Sequence, residues 1–193
     1  MFARMLTTAL LAMTAESLLF SGGAGFSRVL RAARRPRSIL PYSLFVTLFS
    51  LGSAGAGVLL KPHLAGDRGE FLRPAAYAAA AALMYLAAAW LLHRFAPAFY
   101  GRNEGPLALS ALNTVVVAMP WVQRIFGFGL SQTVGYALGT GVSFFLASLV
   151  LSRAGKTCSN PDMPEAFSGL PAELIYVGIL SLAFTGFTGG RVF

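Results

Sequence analysis

Between Ile39 and Gly190 the chain passes through five stretches that carry no charged residue: Ile39 to Leu60, Ala75 to Leu92, Leu107 to Gln123, Thr133 to Leu151 and Leu174 to Gly190. A sixth apolar stretch, at the amino end, is interrupted only by Arg4 and Glu16. A helix needs about 20 residues to cross roughly 30 Å of hydrocarbon, and each run is of that order. In lipid the backbone must satisfy its own hydrogen bonds, which leaves helices or closed barrels. These runs are continuously apolar and rich in Ala, Leu and Gly rather than alternating with period two, so they read as closely packed helices. The expectation is an all-α integral membrane protein with six transmembrane helices.

With 193 residues, 56% hydrophobic and 11% charged, six spans use most of the chain and leave loops too short for a soluble domain. A single membrane domain over residues 1–193 is expected. No clean small-x-small cleavage site follows Arg4, so the first segment is expected to stay as a helix. The formal charge of +8 would suit nucleic acid, but the positive residues gather at span ends, where they set membrane orientation. Nucleic acid is therefore not an expected partner; membrane lipid is. The first loop holds Arg28, Arg31, Arg34, Arg35 and Arg37, which places it in the cytoplasm. Alternation puts Arg94, Arg102, Arg153 and Lys156 on the same side and Arg4, Lys61, Arg68, Arg73, Arg124 and Arg191 opposite. Both termini are then expected outside a multi-pass protein of the cell (cytoplasmic or inner) membrane.

Residues 61–74 and 93–106 are polar hinges bearing Pro and Gly, and the second divides three spans from three. Three is odd, so related halves, about residues 1–92 and 105–190, would insert in opposite senses, as inverted repeats. Each half opens on an imperfect span. Glu16 precedes Gly22-Gly23-Ala24-Gly25 in the first, and Asn113 precedes Pro120 in the second. Helices broken at matching places point to a site near the midplane. The alternative is that the Gly run is the turn after span one and Pro120 ends span four. A carboxylate at membrane depth is costly, which makes Glu16 a functional candidate with Arg4 or a group from another chain as its partner; otherwise it reaches the interface beside Ser21. Asn113 is a second polar candidate, though a single amide often only bonds a neighbouring helix.

Other motifs reduce to structure. Ala154-Gly-Lys-Thr157 echoes a phosphate-binding loop, but its leading Gly would fall at residue 150, a Val in an apolar run. His63 and His93 lie at span ends without Cys or carboxylate companions at ligand spacing, so no metal site is expected. Gly135, Gly139 and Gly141 let span five approach its neighbours closely. Cys158 is the single cysteine, sits in a loop, and cannot hold a cluster by itself.

Asp162-Met-Pro-Glu-Ala-Phe-Ser-Gly169 and Leu180-Ser-Leu-Ala-Phe-Thr-Gly-Phe-Thr-Gly189 close the chain; Phe71-Leu-Arg73 opens span three, Ala96-Pro-Ala-Phe-Tyr100 follows it, and Asn113 lies in span four. Together these resemble the A-type membrane component of the Rnf electron transport complex, and they are similar to the D- and E-type components of the sodium-pumping NADH:quinone oxidoreductase. The resemblance covers most of the chain and is closest at the carboxyl end. It implies a six-helix subunit paired with a homologous, oppositely oriented partner in an ion-translocating redox complex. It also implies an iron–sulfur cluster held by cysteines in the broken helices of both. The matching positions here are Ala24 and Thr114, and neither side chain supplies a thiolate. No iron–sulfur cluster is therefore expected in this chain, and its role is expected to be scaffold or ion path rather than catalysis. The alternatives are a transporter or channel-like protein with the inverted-repeat fold and no redox role, or a structural membrane partner.

Overall fold

The computed structural model describes residues 2–14, 19, 23–64, 67–157, 164 and 167–187. Among these residues the chain is helical and has no strand. The helices are α1 (Phe2–Met13), α2 (Phe26–Ala33), α3 (Ile39–Leu60), α4 (Asp67–Phe95), α5 (Pro97–Ala111), α6 (Thr114–Ile125), α7 (Leu130–Thr157) and α8 (Leu170–Phe187), with a 3₁₀ turn at Pro36–Ser38.

Three segments are long and apolar enough to cross a membrane: Pro36–Leu60, Gly69–Phe95 and Leu130–Gly155. The bent pair α5 and α6 makes a fourth if it is one span, while α1 and Leu170–Phe184 are apolar but shorter. The all-helical expectation holds, with three to four membrane-capable helices by length and composition. The amino-terminal stretch around Glu16 lies outside the described residues, as do Cys158 and Asp162.

Local sequence sets the breaks, not always where expected. Residues 93–106 do not form an open hinge: α4 runs on to Phe95 and α5 starts at Pro97, because proline at the first helical position gives up an N–H that has no partner there anyway. Pro120 neither breaks nor ends a span, since it lies inside α6, which continues to Ile125. The actual stop is a Schellman motif. Gly127 adopts φ 61°, its N–H donates to Arg124 O at 3.3 Å, and Phe128 N–H donates to Gln123 O at 3.0 Å. Phe128 then contacts the rings of Phe126 at 5.2 Å and Tyr136 at 5.5 Å, tying the turn to α7.

The turn between α3 and α4 is clasped by Arg73, which is buried. Its guanidinium donates to Leu64 O at 3.1 and 3.3 Å and to Glu70 Oε1 at 2.7 Å, the pairing a buried charge requires. Arg73 is thus a structural loop clasp and no free surface cation, while Phe71 and Leu72 beside it are exposed.

Of the three long apolar segments, that of α7 is the most buried and that of α4 the least. α1, α2 and α3 all pack against α7; α3 also packs against α5 and α6, and α4 against α5. Small residues make the closest approaches, as expected of the span-five glycines. A Cβ at Gly135 would meet Met5 O and Thr8 Oγ1, one at Gly139 would meet Ala9 O and Ala12 Cβ, and one at Gly141 would meet Thr47 of α3. Outward faces carry Leu83, Leu86 and Trp90 on α4 and Ile175, Ile179 and Leu182 on α8. Such faces suit lipid or a further membrane protein.

Candidate functional site

The helix pair α5–α6 bends by 40° between Ala111 and Thr114. The sequence explains the break at Asn113. Its backbone is extended (φ −78°, ψ 136°), and its side-chain Oδ1 accepts the Val115 N–H at 3.4 Å, capping α6. In the other half, α1 ends at Met13, and the chain reaches α2 through Gly23 (φ 63°) and Gly25 (φ 73°). That left-handed backbone is open to glycine and costly for other residues.

These two breaks meet. The Gly25 N–H donates to Thr114 Oγ1 at 2.7 Å, joining residues 89 apart in sequence. Gly25 lies directly against Asn113: a Cβ there would touch Asn113 Oδ1 and come to 2.7 Å from Val115 Cγ2. Asn113 is fully buried, and its Nδ2 has no hydrogen-bond partner among the described residues. Ala24 is half-buried and packs against the cluster of Leu19, Val29, Val115 and Phe144. Of the residues singled out from sequence, Ala24, Asn113 and Thr114 therefore come together, and Glu16 lies outside the described residues.

Sequence reasoning missed a set of buried hydroxyls on α3 and α7. Ser50 and Ser53 on α3, Ser148 on α7 and the Tyr42 hydroxyl have no hydrogen-bond partner among the described residues. The Tyr42 ring stacks on Phe144 at 5.6 Å, while Ser110 of α5 donates to Tyr42 O at 3.4 Å. Their only signal was small polar residues spaced one helical turn apart in apolar spans, and such residues more often bond their own helix, as Thr140 does to Tyr136 O at 2.8 Å. His93 packs edge to face on Tyr100 at 5.6 Å, and His63 is exposed. Among the described residues no group of three His, Cys, Asp or Glu converges as a metal site would require.

No protein-family model matches the chain. Individual relatives do. The chain is 32% identical over 99 residues, 51% of either protein, to the A-type component of the proton-translocating ferredoxin:NAD(+) oxidoreductase complex of Clostridium ljungdahlii. It is 26% identical over 171 residues, 86% of either protein, to the A-type component of the ion-translocating oxidoreductase complex of Syntrophotalea carbinolica. The chain resembles the Rnf/Nqr membrane subunits. The Nqr side is represented by the E-type component of the Na(+)-translocating NADH-quinone reductase of Saccharophagus degradans, 33% identical over 101 residues, 51% of this chain and 49% of the relative. At Clostridium ljungdahlii and Saccharophagus degradans the chain spans about half the length of the relatives it matches. The Rnf/Nqr resemblance read from Asp162 to Gly189 and from Phe71 to Asn113 is thus found again among proteins named as components of ion-translocating redox complexes.

Proposed function

We propose that this chain is a divergent Rnf/Nqr-type membrane subunit that serves as a cluster-free scaffold and ion-path element of an ion-translocating electron transport complex. The observation that carries the reading is the Gly25–Thr114 junction. In the resembling family the two matching positions hold cluster cysteines. Here Ala24 has no donor atom, and Thr114 Oγ1 already accepts the Gly25 N–H at 2.7 Å, so the donor set does not fit an iron–sulfur cluster. A neutral hydrogen bond holds the halves where the relatives would place a cluster. Six spans in two inverted halves, about residues 1–92 and 105–190, are part of the proposal, supported by the bend of α5–α6 and by the Gly25 turn that meets it. So are a homologous, oppositely oriented partner against the exposed faces of α4 and α8, and the cell-membrane orientation with both termini outside.

The test is iron analysis and visible absorption on the anaerobically purified native complex. We expect no iron traceable to this chain; about two irons assigned to it, beside those of its partners, would overturn the reading. Orientation is checked separately with a Cys158→Ser background. An Arg34→Cys variant should resist membrane-impermeant maleimide in intact cells and react in inverted vesicles, and the reverse pattern would place the arginine loop outside.

A second reading is a transporter or channel-like protein without redox work. It is favoured by the buried hydroxyls of Tyr42, Ser50, Ser53 and Ser148, which lie on α3 and α7 without a hydrogen-bond partner among the described residues. Flavin- and ferredoxin-type proteins co-purifying with the chain would decide for the first reading, and purification alone with measurable solute uptake for the second.

A further inference from the structure

We propose that the cleft between the 3₁₀ turn and α5 binds the phosphate headgroup of an anionic phospholipid, with the leucine stripe of α3 as the track for an acyl chain. The cleft encloses about 580 Å³ and is lined by Arg35, Arg37, Ser38, Arg102, Asn103 and Pro106, among others. The ion pairs found among the described residues are Arg34–Glu173 and Arg73–Glu70, and the three cleft arginines belong to neither. Ser38 Oγ donates to Arg35 O at 2.8 Å and Asn103 Nδ2 to Phe99 O at 3.0 Å, which shapes the walls without neutralising them. Glu104 follows Arg102 by two residues, a spacing that points it to another face of α5.

Three guanidiniums around one cleft match the forked oxygens of a phosphate. The apolar half of the argument comes from α3. Leu40, Leu44 and Leu48 are 62%, 53% and 55% exposed, and their four-residue spacing makes one stripe. The stripe starts next to Pro41, itself a cleft residue. Charge at the mouth of a membrane-capable helix and leucines below it repeat the order of a phospholipid, and basic pockets beside transmembrane helices suit such headgroups. An acidic protein loop would answer the arginines but leave the leucines uncovered. The proposal needs only that α3 spans the membrane and stands apart from the redox reading.

Native mass spectrometry of the detergent-purified chain, titrated with phosphatidylglycerol and with phosphatidylcholine of the same acyl chains, tests it. Phosphatidylglycerol should bind more tightly. The combined R35Q, R37Q and R102Q variant should lose that affinity roughly 100-fold, from about a fivefold contribution per arginine near the surface. A charge-matched control with R4Q, K61Q and R124Q should stay within about threefold of wild type. Leu40→Ser with Leu44→Ser should weaken the lipid while leaving the response to glycerol phosphate unchanged. Equal loss in both triple variants, equal binding of both lipids, or full displacement by equimolar glycerol phosphate would overturn the proposal, the last by showing a soluble-phosphate site. An R35Q, R37Q and R102Q variant that keeps its lipid and sheds a co-purifying protein would overturn it in favour of an acidic partner. If that variant does not fold, Arg102→Gln alone, read for about a fivefold loss, carries the same decision.

Discussion

Replacing Gly139 by Leu should cost at least about 3 kcal/mol of stability and release α1 from the bundle. A Cβ alone at this position would already meet Ala9 O and lie 2.9 Å from Ala12 Cβ, and leucine adds three more carbons in the same direction. The obstruction is backbone on a neighbouring helix, so no rotamer of a flexible side chain can relieve it. Gly178 on α8 offers the matched control, since a Cβ there meets nothing within 4 Å, and Gly178→Leu should change stability by no more than about 0.5 kcal/mol. Denaturation in mixed micelles, with proteolysis of the amino-terminal segment as the local probe, distinguishes the two variants. A Gly139→Leu protein that unfolds at the wild-type midpoint would show that α1 does not pack on α7 as described.

The junction of the two broken helices yields the second large effect. Gly25→Ala should destabilise the fold by about 3 kcal/mol, combining roughly 1–2 kcal/mol for a left-handed L-residue with the contact against Asn113. The Gly25 φ of 73° and the placement of Asn113 Oδ1 are separate causes, and a double-mutant cycle separates them. Asn113→Ala alone should cost about 1 kcal/mol, since the α6 cap at Val115 N–H is lost. Combined with Gly25→Ala it should cost less than the two single losses together, because the Cβ then has room. Strict additivity in unfolding free energies would mean that residues 25 and 113 do not touch.

Both variants probe features that were partly legible in the sequence. Gly139 and Gly25 announced a close approach and a break because glycine has few other reasons to recur in an apolar span. Which helix each would meet was hidden, since Ala9, Thr47 and Asn113 are distant in sequence and only the tertiary arrangement selects them. Asn113 carried the break in α5–α6 through its capping side chain, whereas Pro120, the stronger signal on paper, sits inside α6. Proline can ride within a helix when its surroundings absorb the missing N–H, and no local pattern says when that happens. The burial of Arg73 was hidden for a related reason. It depends on a loop carbonyl, Leu64 O, that no composition or spacing rule brings to it. Long apolar runs located the helices well, but α1, α5 and α6 are each too short to count as spans by themselves, because hydropathy averages across a bend.

The meeting of α2 and α6 at Gly25 and Thr114 has an electrostatic corollary. Both helices start there, so two amino-terminal poles, each worth roughly half a positive charge, face one small volume in a poorly screening interior. An electron-rich or anionic group would be welcomed at such a place; a sodium ion or proton would climb a potential hill to enter it. The junction is thus a local barrier to cations, built from backbone alone.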